Sequence, residues 1–271
     1  MQAVALVHPI ALQLGRFTIT SYGLMVALAF VAGLWTASRR SLRDGIPGEK
    51  ILDLGPWLIV GAILGARALY VVSYWQEEFA GHSIVEIFAV WRGGLVFYGG
   101  LIGATLAGIL YARLKKVPVW KLADTVAPSI ALGSVFGRLG CLLNGCCYGR
   151  PCHLPWALTF PPESRSAPPG VPLHPVQLYD ASLNLLCYLG LAWLYRRKKF
   201  DGQVFGVYLI AYACLRSFAE MFRGDYPLHY LGGWATPAQL VSMGMLGIGL
   251  VLLVVLKRSQ PGLPARPSNK G

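Results

Sequence analysis

Seven apolar stretches alternate with polar segments along this chain, at about 19–38, 56–74, 95–112, 122–143, 178–195, 204–222 and 237–256. Each approaches the ~20 residues a helix needs to cross a bilayer. The pattern predicts an all-α, polytopic membrane protein with seven transmembrane helices and its termini on opposite faces. Gly61-x-x-x-Gly65 and Gly99-x-x-x-Gly103 have the small-residue spacing that lets helix backbones approach closely. They predict packing, not chemistry. No internal repeat is visible, which leaves an inverted-repeat transporter without support.

Composition agrees, with 55% hydrophobic and 13% charged residues. Charge adds an orientation. Of 24 Lys and Arg, sixteen fall in four alternate segments: Arg39, Arg40, Arg43 and Lys50; Arg113, Lys115, Lys116 and Lys121; Arg196, Arg197, Lys198 and Lys199; Lys257, Arg258, Arg266 and Lys270. Arg16, Arg92, Arg150, Arg165 and Arg223 fall in the intervening segments. Short basic loops stay cytoplasmic, so the N-terminus is expected outside and the C-terminus inside. The net charge of +12 does not call for nucleic acid, because the basic residues form short juxtamembrane clusters without interleaved aromatics. Anionic inner-leaflet lipid accounts for them. The first 18 residues lack the charged start of a signal peptide and no cleavage site follows the first helix, so that helix is expected to be retained. Residues 1–258 read as one membrane domain and 259–271 as a disordered cytoplasmic tail. The Pro-rich outer segment 151–175 reads either as a small cap or as a disordered loop. Trp156 and Phe160 favour a cap that touches the interface.

Arg67, Arg138 and Arg216 lie inside apolar stretches. From the helical rise, they sit about 8–10 Å below the outer ends of their helices. Glu220 and Arg223 share one helical face with Arg216. Tyr22, Tyr98 and His174 lie near the same outer level. A buried Arg costs at least ~2.5–3.5 kcal/mol at a helix centre on insertion scales. Snorkelling explains one such residue more easily than three, and an Arg216–Glu220 pair explains two charges. One Glu cannot neutralise three arginines, and Asp124 belongs to the inner end of its helix. The expectation is an anion, and a lipid phosphate fits in charge and depth. The planar guanidinium also pairs with two phosphate oxygens.

Segment 137–150, GRLGCLLNGCCYGR, resembles the signature of the prolipoprotein diacylglyceryl transferases, roughly G-R-x-G-N-F-x-N-x-E-x-x-G. Gly137, Arg138, Gly140, Asn144 and Gly149 match it; Cys141, Leu142 and Cys146 stand where the family usually has Asn, Phe and Glu. Four further segments are similar to family elements: Ser21-Tyr22-Gly23-Leu24-Met25; Gly93-Gly94-Leu95 through Tyr98-Gly99-Gly100, with Tyr98 in place of the usual His; His174-Pro175-x-Gln177-Leu178-Tyr179; and Arg216-x-x-x-Glu220-x-x-Arg223. Five motifs in order make the resemblance strong.

The resemblance implies a seven-helix enzyme of the bacterial plasma (inner) membrane. It would move the diacylglyceryl group of phosphatidylglycerol to the lipobox cysteine in a prolipoprotein signal peptide, releasing glycerol 1-phosphate. It implies catalytic roles for Tyr98, Arg138, Arg216 and Glu220. Substrate would be held by Tyr22, Arg138, Asn144, Gly149, His174, Arg216 and Arg223. No cofactor is called for. Arginine cannot accept the proton, yet thiolate is the nucleophile, so the base stays open among Tyr98, His174, Glu220 and water. The departures at Tyr98, Cys141 and Cys146 also motivate a different reading, a non-catalytic lipid-binding protein of the same fold. A small-anion transporter is disfavoured by the nearly uncharged inner halves of the helices.

Cys141, Cys146, Cys147 and Cys152 crowd into twelve residues beside His153. Their spacing matches no common zinc pattern, and adjacent cysteines rarely share one ion, so no metal site is expected. The remaining readings are a disulfide involving Cys152 and plain packing at a helix end. Cys187 and Cys214 read as membrane-buried packing residues, and His8, His82 and His229 as solvated loop histidines.

Overall fold

The computed structural model describes residues 3–5, 7–15, 17–81, 83–225 and 236–259. His82, His229, Arg16 and the tail beyond 259 therefore lie outside the described residues. The helices are α1 (Ser21–Ser41), α2 (Gly48–Ser73), α3 (Phe97–Leu114), α4 (Val119–Asn144), α5 (Val176–Tyr195), α6 (Gln203–Glu220) and α7 (Pro237–Ser259). Among the described residues, five short strands accompany them: β1 (Ala3–Val4), β2 (Ile10–Leu14), β3 (Phe17–Thr20), β4 (Leu158–Thr159) and β5 (Pro172–Leu173). The chain forms two compact units, residues 38–122 and residues 1–37 with 123–271.

Among the described residues, five helical segments are long and apolar enough to cross a membrane: Ser21–Asp44, α2, α3, α4 and α7. Their large apolar side chains, such as Leu64, Leu101, Leu106, Ile248 and Val251, are exposed, as a surface facing lipid tails must be. The expected spans over 178–195 and 204–222 are present as α5 and α6, but neither meets that measure. Their sequences carry Gln177, Asp180, Asn184, Arg216 and Glu220, and all five side chains are buried. Polar groups turned inward lower the apolar character of a helix without placing charge against lipid.

In the unit formed by 38–122, α2 and α3 pack along their glycines. A Cβ built on Gly65 would lie 2.3 Å from the Gly99 carbonyl oxygen, and one on Gly103 would lie 2.1 Å from that of Gly61. The spacing of these four residues thus reports a real helix contact. Arg67 behaves otherwise than its sequence position predicts. Its Nε donates to the Ile87 carbonyl at 2.8 Å, Nη1 to those of Gly93 and Gly94 at 2.9 and 3.2 Å, and Nη2 to that of Glu86 at 2.6 Å. The side chain organises the 86–94 segment by satisfying its backbone, which removes it from the expected set of anion-seeking arginines.

In the other unit, α4, α5 and α6 bury Ala127, Ala131, Leu191, Tyr195, Val204, Tyr208 and Leu209 against one another. Asp124, placed at the inner end of its helix by the sequence, is fully buried there. It accepts hydrogen bonds from Lys198 Nζ at 2.9 Å and from the backbone N–H groups of Gly202 and Phe205 at 2.9 and 3.0 Å. One carboxylate therefore satisfies a buried cation and two backbone donors at the start of α6. The first 20 residues contribute an antiparallel β2–β3 hairpin, which the apolar pattern does not predict.

The 151–175 segment is folded. β4 pairs with β5 and with β1 in the order β1-β4-β5. Ala5, Phe160, Ala167 and Leu173 form a small core beneath these strands. Phe160 is thus a core residue rather than an interfacial one, whereas Trp156 is exposed and donates its indole N–H to Tyr179 Oη at 2.7 Å.

Candidate active site

The site is assembled where α4 ends, within the unit that holds α4, α5 and α6. Gly145 follows Asn144 with φ +64°, the left-handed conformation that commonly stops a helix. The N–H of Cys146 donates to the Cys141 carbonyl at 3.1 Å, and the N–H of Gly145 to that of Leu142 at 3.1 Å. These are the two bonds of a Schellman motif, which sets the residue after the glycine against the third residue from the helix end. Cys141 and Cys146 occupy those two positions. Cys147 is itself left-handed, at φ +59°, and the three sulfur atoms lie within 4.8 Å of one another. All six cysteines are free thiols. The adjacency that argued against convergence of Cys146 and Cys147 is overcome by this backbone turn. The glycine at 145 with Cys at both contact positions was the available signal.

Hydrogen bonds from Cys141 and Cys146 hold the Cys147 thiol well below the usual thiol range, and the positive charges of Arg223 and Arg138 act in the same direction. Asn144 is buried, and its amide donates toward Cys146 Sγ at 3.6 Å. Gln177 Nε2 donates to the Cys146 carbonyl at 2.9 Å, tying the start of α5 to this turn.

The arginines are paired more completely than the sequence implied. Arg138 Nε lies 2.7 Å from Asp180 Oδ2, and Asn184 holds the other carboxylate oxygen at 2.7 Å. Arg216 Nη2 is 2.8 Å from Glu220 Oε2. Arg223 makes a two-point contact with Asp225, at 2.9 and 2.8 Å, and its Nε is 3.9 Å from Glu220. Burial works against the charge of Arg223, but its bonds to Asp225 outweigh that and raise its pKa above the ordinary guanidinium value. Three carboxylates thus face three arginines, which corrects the expectation of uncompensated positive charge. Asp180 and Asp225 were the missed partners. Asp180 and Asn184 stand one turn apart in an apolar helix, a pattern that marks a polar inward face. Among the described residues, the buried Nη1 of Arg216 still has no acceptor.

Gly149 lies where two segments cross. It forms an isolated antiparallel bridge with Arg223, and a Cβ there would meet the His174 carbonyl at 2.4 Å. Arg150 donates through its backbone to the Phe222 carbonyl at 2.8 Å, and Gly224 to that of Tyr148 at 3.1 Å. This crossing binds the turn after α4 to the end of α6. The His174 ring centroid is 5.3 Å from that of Phe222, and its Nδ1 is 3.4 Å from Tyr179 Oη. Tyr22, at the start of α1, packs on α4 through Gly140, where an added Cβ would be 3.1 Å from the Tyr22 ring.

The structure therefore brings Tyr22, Arg138, Asn144, Gly149, His174, Arg216, Glu220 and Arg223 into one unit. Tyr98 belongs to the other unit. It is half-exposed in the first turn of α3, with its ring centroid 5.8 Å from that of Phe97.

A family profile described as "Prolipoprotein diacylglyceryl transferase" matches residues 9–255. A phosphatidylglycerol–prolipoprotein diacylglyceryl transferase of Synechococcus elongatus is 37% identical, over 97% of this chain and 93% of its own. Proteins of the same name from Rhodospirillum rubrum and Bordetella avium are 36% and 38% identical, covering 94% of this chain and 94% and 97% of theirs. With its motifs in order and its match running nearly end to end, the chain belongs to the prolipoprotein diacylglyceryl transferase family.

Proposed function

We propose that this chain is a multi-pass membrane transferase that moves the diacylglyceryl group of phosphatidylglycerol to the lipobox cysteine in the signal peptide of a prolipoprotein. The sulfur forms a bond to the glyceryl carbon as the carbon–oxygen bond to phosphate breaks. Glycerol 1-phosphate departs, and the thiol proton passes to a base. The observation that carries this reading is the buried, unpartnered Nη1 of Arg216. A buried charged donor without an acceptor is costly, and a phosphate oxygen of the lipid headgroup would satisfy it.

Arg138 and Arg216 are read as the groups that hold the headgroup and stabilise charge on the leaving phosphate. Asp180 takes the Nε edge of Arg138 and fixes its orientation, as Glu220 does for Arg216. Glu220 lies close to two guanidiniums and orients them. Arg223, Asn144, Gly149, His174 and Tyr22 would frame the substrate, with Tyr98 or His174 as the proton acceptor. The chain is placed in the bacterial inner membrane with α5 and α6 also crossing it, the N-terminus outside, the C-terminus cytoplasmic and 151–175 as an outer cap. Both compact units are assigned to the one membrane domain.

Complementation of a conditional strain lacking prolipoprotein lipidation tests the reading. Growth, with the diacylglyceryl mass increment on a lipobox peptide incubated with phosphatidylglycerol, is the expected result. No rescue and no increment at normal membrane abundance would favour the non-catalytic lipid-binding reading that Tyr98, Cys141 and Cys146 motivate.

A further inference from the structure

We infer that Cys141, Cys146 and Cys147 form a binding site for one thiophilic metal ion, of which zinc(II) is the representative, at the C-terminal end of α4. Zinc–sulfur bonds of about 2.3 Å place three sulfurs around one ion about 3.8–4.0 Å apart. The three sulfurs here already lie within 4.8 Å of one another, so ligation needs only small side-chain adjustment. Soft thiolates select zinc or copper(I) over magnesium or calcium.

The backbone supports this arrangement. The Schellman bonds at 3.1 Å hold Cys141 against Cys146, and the left-handed Cys147, at φ +59°, brings in the third sulfur. A non-glycine residue in that region costs on the order of 1–3 kcal/mol and clusters at functional sites.

Charge and hydrogen bonding point the same way. Three thiolates around a divalent ion carry a net negative charge, and the guanidiniums of Arg138 and Arg223 lie within electrostatic reach of the cluster. The amide of Asn144 donates toward Cys146 Sγ, the kind of outer hydrogen bond that orients a metal ligand. Zinc takes four ligands, which leaves one position for an external donor.

The test uses the full chain in detergent, purified under reductant, stripped with chelator, and titrated with zinc chloride or with cobalt(II) as an optical probe. One ion per chain is expected, with thiolate-to-cobalt charge-transfer absorption and a raised unfolding midpoint. Cys141→Ser and Cys147→Ser are each expected to weaken zinc binding by more than the about 10–100-fold that loss of an outer partner costs. Cys187→Ser leaves binding unchanged. Folded wild-type protein that takes up no stoichiometric zinc overturns the inference, as does equal zinc binding by the Cys141→Ser/Cys147→Ser double variant. The wild-type titration decides even where a variant misfolds. Metal content is read without turnover, so failure of the transferase reading and failure of this one are separately visible.

Discussion

Arg67, Arg138 and Arg216 look alike in the sequence, each a lone guanidinium in an apolar stretch, yet the structure gives them different work. Arg67 is consumed by four backbone carbonyls. Arg138 and Arg216 are each oriented by one carboxylate, and Arg216 keeps a buried donor without an acceptor. Arg138→Lys and Arg216→Lys, which keep charge but lose the planar fork, are therefore each expected to lower thioether formation by about 10²-fold or more, the scale of losing one donor to a developing oxyanion. Near-wild-type turnover by both, at equal membrane abundance, would show that charge alone suffices. Tyr98→Phe removes one oxygen and keeps the ring. If the phenol replaces the family's usual His in proton transfer, the rate falls by about 10²-fold or more, while phosphatidylglycerol binding changes little. Full activity in Tyr98→Phe would leave His174 as the next candidate.

At the scale of elements, glycine decides how closely α2 and α3 approach. The Gly65 Cα faces the Gly99 carbonyl so directly that a Cβ would come within 2.3 Å. The clash is with backbone, which cannot swing aside as a side chain would. Gly65→Val is accordingly expected to separate the two helices. The measurement is protease sensitivity and monodispersity of the purified protein, and an unchanged profile would mean that the helices can slide to accommodate the methyl groups. α5 and α6 show the opposite device. Each carries polar residues that would be costly against lipid, and each turns them inward, where Asp180 meets Arg138 and Glu220 meets Arg216.

At the scale of the molecule, the alternation of sixteen basic residues against five is a statement about topology. A reporter fused after Lys257 is expected to be active only in the cytoplasm, and one inserted in the 151–175 segment only outside. The inverse pattern would overturn both the orientation and the outer placement of the arginines. The folded state of 151–175, with Phe160 and Leu173 in its small core, makes an insertion point at its exposed Pro162–Glu163 pair preferable to one near the strands.

What the sequence determined by itself rests on local properties. Long apolar stretches, glycine at every fourth position, basic clusters between helices and five ordered motifs each depend on neighbours a few residues away, because helix periodicity and transfer to lipid act at that range. A mostly helical membrane chain, the α2–α3 glycine contact and the family were legible for that reason. The tertiary structure alone decided which groups face one another. Asp180 meets Arg138 and Asp225 meets Arg223, so the charge of the site is balanced where composition suggested an excess. Arg67 turned to the backbone of its own unit, and the N-terminal residues paired into a hairpin. Three cysteines with unpromising spacing converged because Gly145 and Cys147 reverse the backbone hand. Such outcomes depend on how each helix is rotated about its axis and where the chain turns left-handed, and linear spacing carries neither.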